Sequence, residues 1–76
     1  MNKRLLRSYM ALYGDTNKSL AEYLDISEQS VCNKINERRT EFTRKEISAI
    51  SRRYRMDADT VDRVFFAEEV SDLDTE

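Results

Sequence analysis

The sequence predicts an all-α protein, a compact single domain of five helices, from three observations. Proline is absent and Gly14 is the only glycine, so little interrupts a helix, and residues of good helix propensity dominate. Apolar residues recur at intervals of three and four, while the two-residue alternation of a strand is scarce. Helix-start chemistry reappears between the apolar runs.

The elements follow in order. Leu5, Leu6, Tyr9, Met10 and Tyr13 describe a first helix that ends at Gly14, a residue suited to a helix C-terminus. Leu20, Ala21 and Leu24 describe a short second helix that Thr16 can cap. Val31 and Ile35 lie four apart on a third. Ile47, Ile50 and Tyr54 mark a fourth, and Val61, Val64 and Phe65 a fifth. Thr43-Arg44-Lys45-Glu46 fits a capping box, in which hydroxyl and carboxylate satisfy free backbone N–H groups reciprocally. Three starts pair an apolar residue before the cap with another at the fourth helical position. These are Ile26-Ser27 with Val31, Phe42-Thr43 with Ile47, and Met56-Asp57 with Val61. Each fits a hydrophobic staple, which sets the angle at which the chain enters the helix.

A chain of 76 residues holds one core. With one cysteine, Cys32, and no histidine, neither an internal disulfide nor a closed zinc site is expected. No cofactor or small-molecule ligand is indicated. No apolar run approaches 18 residues, and no apolar stretch follows the basic start, so neither a membrane span nor a signal peptide is expected. A free thiol without an export signal leads to the expectation of a cytoplasmic protein. An enzyme is not expected, for want of a histidine, a glycine-rich phosphate loop or a nucleophile with its base.

The net charge is −2, but it is unevenly spread. Residues 67–76 carry five acids and no base, whereas residues 1–56 carry 12 bases and 7 acids. We therefore expect a basic domain over 1–66 and an acidic, flexible tail over 67–76.

Only Asp25-Ile26-Ser27 joins the second and third helices, a link that favours two helices crossing steeply. Ala21 is expected at the crossing. With Leu20, Leu24, Ile26, Val31 and Ile35 turned inward, the third helix presents Glu28, Gln29, Asn33 and Asn36 outward, with Cys32 alongside. Amide side chains suit base edges, because Gln and Asn can bond adenine through donor and acceptor together.

This segment, Thr16 to Asn36, resembles the helix-turn-helix of lambda-repressor-like and Cro-type phage regulators. The Leu20-Ala21 pair, the Ile26-Ser27 turn, Val31 and the closing Asn36 carry the likeness, which extends more loosely over residues 3–66. The resemblance implies a sequence-specific repressor that binds a double-stranded DNA operator as a homodimer. It implies base reading by Glu28, Gln29 and Asn33. Phosphate contacts are implied for Asn17, Ser27, Asn36, Arg38 and Arg39, and the same path of phosphates reaches Arg44 and Lys45. Asn17 could instead support the recognition helix. Two departures stand out: Asp25 and Glu37 occupy positions where glycine is usual. Asp tolerates a left-handed backbone better than most residues. Glu28 replaces a common amide, and either reads cytosine N4 or turns away from the phosphates.

Lys3, Arg4 and Arg7 are further candidates for backbone contact. Arg52, Arg53 and Arg55 are expected to form a solvated face or to pair with Asp57 and Asp59. In Val64-Phe65-Phe66 two adjacent aromatics cannot both face inward on one helix, so one is expected to seal the core and the other to invite a partner. Relatives of the resembled family dimerise near this end, which makes Val64, Phe65 and Phe66 the candidate dimer contact. Whether the following residues continue as a helix or as an arm stays open. The alternative function is a protein-interaction module or anti-repressor built on the same helices without specific DNA binding.

Overall fold

Helix boundaries in the computed structural model are set by local chemistry. The structure describes residues 1–66, so the expected tail, 67–76, lies outside the described residues. Within them the chain forms α1 (Lys3–Leu12), α2 (Asn17–Leu24), α3 (Glu28–Ile35), α4 (Arg44–Arg53) and α5 (Ala58–Val61), and no strand. After α5 the chain widens into one π-helical turn, Asp62–Phe66.

Every helix starts on a side-chain cap. Asn2 accepts from Leu5 N, Thr16 from Ser19 N, Ser27 from Ser30 N, Thr43 from Glu46 N and Asp57 from Thr60 N. Each bond satisfies one of the N–H groups that a helix start leaves without a partner. Thr43 and Glu46 close the expected capping box, and Thr16 closes a second one with Ser19.

The helix ends are just as regular. After α1, Gly14 (φ 73°) donates to Ala11 O and Asp15 to Met10 O, the paired bonds of a Schellman motif. The same pair recurs after α2 at Asp25 and Ile26, after α3 at Glu37 and Arg38, and after α4 at Arg55 and Met56. At those three ends the left-handed residue is Asp25 (φ 59°), Glu37 (φ 55°) and Arg55 (φ 54°). A side chain there meets the following carbonyl, at a cost of roughly 1–2 kcal/mol. Asp25→Gly and Arg55→Gly should therefore each stabilise the domain by about 0.5–1 kcal/mol, net of the added freedom of the unfolded chain. Thermal melts should show Tm rising by roughly 2–8 °C per substitution, whereas Asp25→Val should lower it.

These joints turn the apolar faces onto one core. Leu6, Met10, Leu20, Ala21, Val31, Ile35, Phe42, Ile50, Tyr54, Val64 and Phe65 are all buried. Ile26, Ile47, Met56 and Val61 pack against that core from its margin, where the three staples were expected. Ala21 is small enough to let α2 and α3 approach closely across their three-residue joint. The π-helical turn answers the aromatic question: Val64 and Phe65 face inward, and Phe66 is 63% exposed. Asn2 N donates to Val64 O at 2.7 Å, which fastens the start of α1 to this turn.

Asp15 ties three elements together. Its carboxylate accepts from Arg53 Nε and a terminal guanidinium nitrogen, both at 2.7 Å, from Tyr54 Oη at 2.6 Å and from Ser19 Oγ at 2.6 Å. The side chain is 3% exposed. The bidentate guanidinium bond, against the opposing effect of burial, holds the Asp15 carboxyl well below the usual carboxylate range. Burial, reinforced by the Asp15 charge, pushes the Tyr54 phenol up. Arg53 also lies over the Tyr23 ring, 4.5 Å from its centroid. Of the three arginines expected on a solvated face or paired with Asp57 and Asp59, Arg52 and Arg55 are exposed, whereas Arg53 pairs with Asp15; Asp59 pairs with Arg63 at 3.2 Å. Among the described residues no helix is long and apolar enough to cross a membrane.

Candidate nucleic-acid interface

The outward side of α3 is the candidate surface. Val31 and Ile35 are 0% and 1% exposed and fix the inward side. Gln29, Asn33 and Asn36, at steps of four and three, therefore run along the opposite side. Gln29 Nε2 donates to Asn33 Oδ1 at 3.2 Å, so the two amides lie side by side. That bond uses one donor and one lone pair, leaving each amide able to donate and accept outward.

Glu28 stands apart from this strip. It is exposed, but it lines a hollow with Arg7, Asp15, Thr16 and Asn17 at the start of α2. Asn17 is half-buried in that hollow, beside Glu28, and its side chain makes no hydrogen bond among the described residues. Asn17 and Glu28 are thus brought together, on the flank of α3.

Two of the expected phosphate ligands are already engaged. Ser27 Oγ accepts from Ser30 N at 3.0 Å and donates to Ser30 Oγ at 2.9 Å. Asn36 Nδ2 donates to Cys32 O at 3.0 Å, and its Oδ1 accepts from Lys3 Nζ at 3.0 Å. The Asn36 amide is therefore spent on closing α3 and on Lys3. Cys32 is half-buried between them.

Four cations remain uncommitted. Arg38 and Arg39 are exposed in the turn after α3, and Arg44 and Lys45 are exposed on the first turn of α4. Among the described residues none of the four has an ion-pair or hydrogen-bond partner for its side chain. Glu37 and Glu41 are the only acids between residues 37 and 45, so this stretch carries a surplus of two positive charges. Arg39 holds a left-handed backbone (φ 63°) and Arg38 N donates to Asn33 O at 2.8 Å. The turn is thereby fixed against the C-terminal end of α3.

Lys34 behaves differently from its basic neighbours. It pairs with Glu46 at 2.8 Å, both side chains being 14% exposed. Burial opposes ionisation of Glu46, but the Lys34 ammonium and the Thr43 N–H outweigh it and hold the carboxyl below its ordinary value. One carboxylate thus caps α4 and anchors α3 to it. Sequence reading identified the cap and missed the anchor, because no local pattern links residues 34 and 46.

Compared with protein-family models, with characterised proteins and with solved structures, the chain matches none. Of the three candidate dimer residues, Val64 is fully buried and Phe65 nearly so; both are core. Of the three only Phe66 is exposed, and it lines a groove with Phe42, Phe65, Ile47, Val61 and Arg44. Among the described residues, no group of three or more His, Cys, Asp or Glu side chains is placed to hold a metal.

Proposed function

We propose that this chain is a sequence-specific double-stranded DNA-binding protein, a helix-turn-helix regulator of the lambda-repressor-like, Cro type. The observation that carries the reading is the paired amide strip of α3 flanked by four cations that have no ion-pair partner among the described residues. Amides that can donate and accept together match adenine in the major groove. Cations at the edges match the phosphates, which fix register without reading sequence. In this reading Gln29 and Asn33 read bases. Arg38, Arg39, Arg44 and Lys45 hold the backbone. Glu28, set beside Asn17, reads cytosine only at the margin of the contact. The protein works in the cytoplasm as a homodimer paired through Phe66, on a pseudo-palindromic operator with half-sites about one helical turn apart. Repression follows when the bound dimer blocks polymerase.

Selection of bound sequences from random duplex DNA at moderate salt tests the reading. A two-fold-symmetric consensus is the expected result. Binding without sequence preference, or no binding, would refute it and favour a protein-interaction module on the same helices.

A further inference from the structure

We infer that Lys3 makes a phosphate contact at the end of the amide strip, and that Asn36 is the positioning residue that holds it there. The inference rests on the DNA-binding reading above. Asn36 lies on the strip with Gln29 and Asn33, yet its own donor is turned back to Cys32 O. What it offers outward is Oδ1, and the group seated on that oxygen, 3.0 Å away, is the Lys3 ammonium from 33 residues earlier.

Three features make this arrangement a binding feature beyond a surface bond. The backbone under Lys3 is held, since Asn2 caps α1 through Leu5 N and donates its own N–H to Val64 O. The partner of Lys3 is a neutral amide, so the ammonium keeps its full charge and two of its three donors. Lys34 is the contrast: its ammonium meets the Glu46 carboxylate and is neutralised. The acid next to Asn36 in sequence, Glu37, pairs with the amino-terminal nitrogen at 3.4 Å and not with Lys3. Arg4 and Arg7, on the same helix, make no side-chain hydrogen bond or ion pair among the described residues, and Arg7 lines the hollow beside Glu28 and Asn17, away from Asn36.

The test is a salt series of duplex affinity for the full chain, on the duplex recovered by selection. Losing one phosphate contact flattens the slope of log affinity against log salt by about 0.9, a loss of roughly eightfold at 0.1 M relative to 1 M. Lys3→Gln should show that flattening, Lys3→Arg should keep the parent slope, and Arg4→Gln should leave it unchanged. Asn36→Ala should flatten the slope as Lys3→Gln does. Combining the two should weaken binding no further than about twofold beyond either alone, because both remove one contact. Should Asn36→Ala fail to fold, Lys3→Gln decides by itself. An unchanged slope in Lys3→Gln overturns the inference while leaving DNA binding intact. A parent chain that binds no duplex overturns both.

Discussion

Asp15→Ala is expected to lower Tm by at least about 8 °C while leaving the helices able to form. The carboxylate is almost fully enclosed and accepts four hydrogen bonds from α2 and α4. Deleting it leaves the Tyr54 hydroxyl, in a residue 1% exposed, without its acceptor, at about 1–3 kcal/mol. Removing one partner of a buried ion pair can cost about 3–5 kcal/mol. Here Arg53 is 31% exposed and can turn to water, so the total is roughly 2–4 kcal/mol. At about 4–8 °C per kcal/mol for a domain of this size, the shift is large. Tyr54→Phe removes one of the four donors and should cost about 1 kcal/mol.

The same group sets part of the acid limb of stability. A carboxyl whose folded pKa is depressed contributes stability that is present above its unfolded value, 3.8, and is lost as pH falls toward the folded one. Stability should thus hold from neutral pH to about pH 4 and fall below it. In Asp15→Asn, the slope of unfolding free energy against pH below about 3.5 should be shallower by up to ~1.4 kcal/mol per pH unit. Equal slopes in parent and variant would mean that Asp15 does not hold its charge in the folded state. DNA affinity, measured where both proteins are folded, should be little changed, because the cluster lies off the amide strip.

Gln29→Ala together with Asn33→Ala should produce the largest loss of sequence-specific affinity. Each amide that bonds a base through donor and acceptor contributes about 1–3 kcal/mol of discrimination. The pair should therefore weaken operator binding by roughly 30-fold to 10⁴-fold, as measured by titration of the selected duplex. Binding to an unrelated duplex, and its salt slope, should be unchanged, since no phosphate ligand is touched. Stability should fall by only about 0.2–0.5 kcal/mol, the value of one exposed side-chain pair on a helix. Loss of specific and non-specific binding in equal measure would show that the strip is not where sequence is read.

The local part of this protein is legible in the chain alone. Thr16, Ser27, Thr43 and Asp57 are legible as helix starts because a cap acts on N–H groups within three residues. Gly14 is legible as an end because its missing Cβ permits a left-handed turn. The inward side of α3 followed from Val31 and Ile35 being four apart, and the outward amides followed from that. Pairings between residues far apart in the chain emerge only from the packing of the helices. Arg53 had acids nearby in sequence but found Asp15, 38 residues away. Lys34 found Glu46, and Lys3 found Asn36. The choice of Phe65 over Phe66 for the core depended on a π-helical turn that no spacing rule announces. The difference is one of range. Helix capping is settled by bonds a few ångströms along the chain, whereas the pairing of a flexible cation is settled by which packed helix brings a carboxylate or an amide within its reach.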